Sequence, residues 1–162
     1  MEYLPLAGLA VVVAMAIPLS IIDFREHRLP NQFTYPAIAI NLGIVAIAGI
    51  ATLDPLRMSI AFGIAAATWG LGYWLSSANG IGMGDVKLLV AINASVSWFS
   101  PLAVLVLLAI GFTLASLASL ALIAMRKANL KTPIAMGPFL LLGFGYVAVG
   151  LIQQFFTEVG GS

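Results

Sequence analysis

Six runs of apolar residues separated by short polar breaks leave this chain few folds to choose from. They are Leu4 to Ile22, Phe33 to Ala51, Ile60 to Ser77, Val86 to Phe99, Leu102 to Met125 and Phe139 to Phe156. A helix rises about 1.5 Å per residue and the hydrocarbon layer of a bilayer is roughly 30 Å thick, so about 20 residues cross it. Most of the runs are long enough. Val86 to Phe99 is short: either its helix takes in residues ahead of Asp85, or it turns at Ser100-Pro101 inside the outer leaflet. With 62% hydrophobic and 8% charged residues and a mean hydropathy of +1.10, the chain lies far outside the range of soluble domains. The expected fold is an all-α polytopic membrane protein, a bundle of about six transmembrane helices. No linker, low-complexity run or charged block divides residues 1–162, so one membrane-embedded domain is expected.

The basic residues orient the bundle, because short cytoplasmic loops carry the excess of Lys and Arg. Arg25 and Arg28 follow the first run, Lys87 the third, and Arg126, Lys127 and Lys131 the fifth; of the seven basic residues only Arg57 falls on the other side. Both termini are therefore expected outside, with the first, third and fifth connections in the cytoplasm. The first run has only Glu2 ahead of it and its positive charges after it, the reverse of a secretory signal, and reads as a retained span. A net charge of +1 gives no reason to expect nucleic-acid binding.

Several chemistries are excluded by composition. The chain has no cysteine, which removes disulfides, thiolate nucleophiles and cysteine-bound zinc. Its one histidine, His27, rules out a His-Glu-x-x-His zinc site, and no Gly-x-Ser-x-Gly turn is present to make a serine hydrolase with it. No metal and no cofactor is expected. Carboxylates are left to carry any hydrolysis.

Two aspartates stand out. Asp23 closes Ile21-Ile22-Asp23 at the end of the first run, and Asp85 closes Gly82-Met83-Gly84-Asp85 ahead of the fourth. Ionisable residues near bilayer depth are costly and are kept where they have a partner, a cavity or a function. The predicted topology brings both to the cytoplasmic edge. Two carboxyls a few ångströms apart cannot both ionise easily; one then acts as base on a water while the other, protonated, polarises a scissile carbonyl. Gly82 and Gly84 are expected to form a loop over a cleft, where their backbones reach conformations closed to other residues and let a substrate approach. The structural alternatives stay open on these residues alone: Asp85 as a helix N-cap, and Asp23 as an interfacial residue paired with Arg25 or Lys87. Pro30-Asn31 is expected to break the loop and open the second span. Gly63 with Ala67, and Gly111 with Ala115 and Ser119, have the small-xxx-small spacing of close helix packing; Asn41 and Asn93 are expected to make interhelical hydrogen bonds.

Three ordered blocks carry a family resemblance. Asp23-Phe24-Arg25-Glu26-His27-Arg28-Leu29-Pro30-Asn31-Gln32-Phe33-Thr34-Tyr35-Pro36 resembles the first block of the type IV prepilin peptidases, an Asp, a basic stretch and Leu/Ile-Pro-Asn. Gly80-Ile81-Gly82-Met83-Gly84-Asp85-Val86-Lys87-Leu88 resembles that family's Gly-x-Gly-Asp-x-Lys-Leu signature, and Pro133-Ile134-Ala135-Met136-Gly137-Pro138-Phe139 its Pro-x-x-x-Gly-Pro-Phe. The resemblance implies a membrane aspartic endopeptidase that removes the short basic leader of prepilins or pseudopilins at the cytoplasmic face, in bacteria the inner membrane. It makes Asp23 and Asp85 the catalytic pair, with Gly82, Gly84, Pro30, Asn31, Lys87, Gly137 and Pro138 shaping the surrounding loops. Lys87 has two readings, a charge that tunes Asp85 or a positive-inside residue, and the second is favoured. His27 is expected in solvent. Larger family members add a cytoplasmic domain with paired cysteines and a methyl-transfer activity. Neither that domain nor a cysteine is found here, so the short forms of tight-adherence (Flp) pilus systems or related minimal prepilin peptidases are the better match, and methyl transfer is not expected.

Two other readings compete. Presenilin-like intramembrane proteases also use Gly-x-Gly-Asp, but pair it with Tyr-Asp and Pro-Ala-Leu; here Asp23 follows Ile22 and no Pro-Ala-Leu occurs. A transporter or assembly subunit relaying protons or cations through Asp23 and Asp85 leaves the Leu-Pro-Asn and Gly-Pro-Phe blocks without a purpose. Prepilin or pseudopilin substrate and membrane lipid are the expected partners.

Overall fold

The computed structural model describes residues 3–26, 31–78, 81–126 and 136–160, and every regular element among them is helical. In chain order they are α1 (Leu4–Glu26), α2 (Asn31–Ala51), α3 (Pro55–Ser77), α4 (Met83–Phe99), α5 (Pro101–Ala124) and α6 (Gly137–Gly160). The expected spans are all present, with longer ends than hydropathy draws. Helix α3 begins at Pro55 rather than Ile60 because Asp54 caps it: the Asp54 Oδ1 accepts the Arg57 N–H at 2.9 Å, and Pro55 occupies a first-turn position where no N–H is needed.

The short fourth run resolves in both ways at once. Its helix takes in Met83 and Gly84 ahead of Asp85, and it still stops at Phe99, where Ser100 turns to an extended conformation and caps α5 through the Ala103 N–H. At 17 residues α4 is only about 25 Å long. It need not match the bilayer, because it barely meets it. Helix α4 packs against each of the other helices, and every residue from Val86 to Trp98 is buried, Lys87, Asn93, Ser95 and Ser97 included. The other five are long and apolar enough to cross, and show lipid-compatible faces such as Ile17, Leu71, Leu105 and Leu142. This is a multi-pass membrane protein.

The main core joins Leu9 of α1, Leu88 and Ile92 of α4, Leu107 of α5 and Phe144 of α6. Helices α5 and α6 cross closely, since a Cβ on Gly143 would lie 2.8 Å from the Leu107 carbonyl oxygen and one on Gly111 would lie 3.0 Å from Leu140. The small-residue pattern therefore holds at Gly111 and Ala115. It fails in α3, where Gly63 and Ala67 are exposed and a Cβ on Gly63 would touch nothing; the packed face of that helix is Ala61, Ala65 and Gly72. Spacing finds a stripe of small residues but not the direction it faces. Asn93 makes the expected interhelical bond, its Nδ2 donating to Thr68 Oγ1 at 3.0 Å, whereas Asn41 donates within its own helix to the Ala37 carbonyl at 2.9 Å.

Candidate active site

Three helix ends meet at one end of the bundle: the last turn of α1 and the first turns of α4 and α6. Asp23 lies within α1, which runs on to Glu26, and is only 4% exposed. Its Oδ2 accepts the backbone N–H of Gly137 at 3.0 Å, a bond that spans 114 positions of sequence. The first N–H groups of a helix have no partner within it, and the helix dipole makes that end favourable to negative charge. Gly137 opens α6, and so the Asp23 carboxylate caps a helix far from its own. A Cβ on Gly137 would sit 2.8 Å from Asp23 Oδ2, too close to tolerate without displacing the carboxylate. Pro138, also buried, follows in the first turn, where its missing N–H costs nothing.

Asp85 stands in the first turn of α4. It is not the N-cap. That position belongs to Gly82, which makes no side-chain capping bond, so the capping alternative does not account for Asp85. The expected glycine loop is also corrected. Gly84 is already helical, because the first turn asks little of its residues in hydrogen bonding, and no described glycine has a positive φ. Gly82 itself is extended, at φ −64° and ψ 137°, a conformation open to any residue. What it supplies is room, since a Cβ there would come 3.1 Å from Asp85 Oδ2. Each aspartate thus has a glycine against its carboxylate, Gly137 for Asp23 and Gly82 for Asp85.

The two carboxyl groups lie within electrostatic range of each other. Asp85 Oδ1 is buried and has no hydrogen-bond partner. A buried acceptor left in that state costs about 1–3 kcal/mol, which makes it a natural receiver for a proton or a substrate donor. Asp23 is held by a backbone donor and Asp85 keeps an oxygen unengaged, so the two acids are chemically distinct.

Lys87 is turned away from Asp85. It is 8% exposed, its Nζ donates to Asn31 Oδ1 at 2.6 Å and lies 4.4 Å from the centre of the Tyr35 ring. Residues two apart on a helix point to different sides, which directs Lys87 to α2 rather than along Asp85. It ties the start of α2 to α4. Asn31 does open α2, as expected. Tyr35 falls within the first family block but has no role there that the sequence suggests, although its spacing of four from Asn31 puts both on one helix face. Pro30, His27, Arg28, Gly80, Lys127, Lys131 and Pro133 lie outside the described residues. Among the described residues no cluster of His, Asp or Glu is suited to holding a metal.

Comparison with known proteins covers this same region. The profile of the type IV leader peptidase family matches residues 10–124, which include both aspartates. The prepilin leader peptidase/N-methyltransferase of Escherichia coli (strain K12) is 32% identical over 153 residues, 87% of this chain and 64% of that protein. That of Stutzerimonas stutzeri is 30% identical over 138 residues, 82% of this chain and 45% of the relative. The leader peptidase HopD of Escherichia coli is 32% identical over 138 residues, which make up 82% of this chain and 85% of HopD. The chain spans about half the length of several of the prepilin leader peptidase/N-methyltransferases it matches. No solved structure gives a significant match.

Proposed function

We propose that this chain, which belongs to the type IV leader peptidase family, is a membrane aspartic endopeptidase that cuts the short basic leader from prepilins or pseudopilins. Asp23 and Asp85 are the catalytic pair. The observation that carries the reading is that the two acids lie within electrostatic range of each other, each against its own glycine and with Asp23 bonded to the α6 terminus. A water between them loses a proton to the ionised carboxylate as its oxygen attacks the scissile carbonyl. The other carboxyl, protonated, gives its proton to the carbonyl oxygen. Collapse of the tetrahedral intermediate releases the leader and the new amino terminus, and the proton needed by the leaving nitrogen comes back from the first acid.

In this reading the chain is one peptidase unit in the bacterial inner membrane, with both termini outside and the aspartates facing the cytoplasm. The basic residues of alternate connections support that orientation. Gly82, Gly84 and the Gly137-Pro138 turn border the approach, while Lys87 and Asn31 fix the neighbouring helix ends.

Co-expression with a prepilin from the same genome tests the reading. A size shift of the prepilin that depends on this protein, with a new amino terminus just after the basic leader, is the expected result. A precursor that stays intact beside well-inserted protein, across every pilin-like candidate of that genome, contradicts it.

A further inference from the structure

The end of the bundle away from the aspartates holds a cavity of about 590 Å³, among the start of α1, the α2–α3 turn and the ends of α4 and α6. That volume falls within the ~300–1,000 Å³ of ordinary small-molecule sites. Its walls carry charges of both signs on different helices: Arg57 and Asp54 at the start of α3, and Glu158 near the end of α6. Trp98, Phe99 and Phe155 supply aromatic surface, with the Phe99 and Phe155 rings edge to face at 6.2 Å. Nothing in the leader-peptidase reading uses these residues.

The existing contacts leave specific groups available. Arg57 bonds Asp54 Oδ2 through Nε at 3.1 Å, so the terminal N–H groups of its guanidinium are not engaged by that pair. Glu158 accepts from Gln154 Nε2 through Oε1 at 3.1 Å, which leaves Oε2, and it has no cationic partner among the described residues. The cavity lies at helix ends, at the depth where lipid headgroups sit and where aromatic side chains collect. A guanidinium on one side and a carboxylate on another form the complement of a zwitterion with an anionic phosphate and a hydrogen-bonding ammonium. With two carboxylates to one guanidinium, the lining is net negative and disfavours a ligand that brings phosphate alone.

The geometry points to a binding site for a zwitterionic phospholipid of the phosphatidylethanolamine kind, its phosphate on Arg57 and its ammonium on Glu158. The aromatic wall flanks the headgroup, and the buried Leu151 closes the inner side of the cavity. The shared chemistry is phosphoethanolamine, and the source is the membrane lipid rather than a soluble ester.

Native mass spectrometry of delipidated protein in detergent, given equal amounts of phosphatidylethanolamine and phosphatidylglycerol with matched chains, tests this. The ethanolamine lipid is expected to be retained over the glycerol lipid by at least about tenfold, the scale of one charge-assisted hydrogen bond. Glu158→Gln, an exposed change that leaves the helix core alone, should bring the ratio close to one, while Arg57→Gln, which removes the partner of a phosphate that both lipids carry, should lower the retention of both. Equal retention of the two lipids by the unaltered protein, a preference that survives Glu158→Gln, or retention of both lipids that survives Arg57→Gln, overturns the site. Displacement of the lipid by millimolar glycerophosphoethanolamine overturns the membrane source. These outcomes do not depend on leader cleavage, so this proposal and the peptidase reading fail separately.

Discussion

The two ends of this bundle treat their helix termini in opposite ways. At the cavity end the turns are capped locally: Asp54 bonds the N–H three residues on and opens α3, and Ser100 does the same for α5, each followed by a proline. At the aspartate end, α4 starts from a glycine with no side-chain cap, and the α6 N–H of Gly137 is met by Asp23 from 114 positions away. The first arrangement confines a polar side chain to building a turn. The second places a carboxylate in a protein interior, and only the tertiary fold holds it there. Side chains of similar chemistry have become structure at one end and a candidate site at the other.

Substitutions that crowd the remote cap should have the largest effects. Gly137→Ala puts a methyl group 2.8 Å from the Asp23 carboxylate oxygen. Misplacing a catalytic group by about 1 Å costs on the order of 100-fold, and kcat/KM for leader cleavage should fall by about that much. Gly63→Ala, whose added Cβ meets nothing, should leave it unchanged. If both behave alike, the room beside Asp23 has no bearing on the chemistry. Gly82→Ala is a milder crowding, with the contact to Asp85 at 3.1 Å; a drop of roughly tenfold in the same assay is expected, smaller than at Gly137.

Not all of this could be seen from the chain alone. Hydropathy locates the six helices, and the two aspartates are visible as acids at the ends of apolar runs. The Gly137 bond to Asp23 has no local signature, because tertiary packing joins segments far apart in sequence. The glycines before Asp85 point to a loop over a cleft, yet one is helical and the other serves by leaving space, a property that only the neighbouring carboxylate reveals. Gly63 and Gly111 share one spacing pattern but face lipid and α6 respectively, a difference set by where neighbouring helices lie. The charge of Lys87 says nothing of its neighbours, since its burial against Asn31 and Tyr35 depends on α2 crossing α4.

Smaller effects should separate structure from site. Asn31→Ala leaves the buried Lys87 ammonium without its acceptor, which costs about 1–3 kcal/mol. The expected readout is a lower unfolding midpoint in detergent, partly restored when Lys87→Met is added, since an apolar residue needs no partner there. No restoration would mean that Asn31 acts through something other than Lys87. Ser100→Ala at the opposite end removes a local cap worth about 1 kcal/mol. Cleavage per folded molecule should not change, and a loss of activity beyond the loss of folded protein would erase the distinction between the two ends.

The central claim is that Asp23 and Asp85 act as one unit, and the direct measurement is single-turnover cleavage of a prepilin peptide by Asp23→Asn, Asp85→Asn and the double variant. An amide keeps the shape of the carboxyl but cannot exchange a proton in its place. Groups that act together lose nearly everything when either is removed, so each single variant should be as inactive as the double, while all three still insert and still bind the peptide. Substantial cleavage by either well-folded single variant, or losses that simply add, would contradict the paired mechanism.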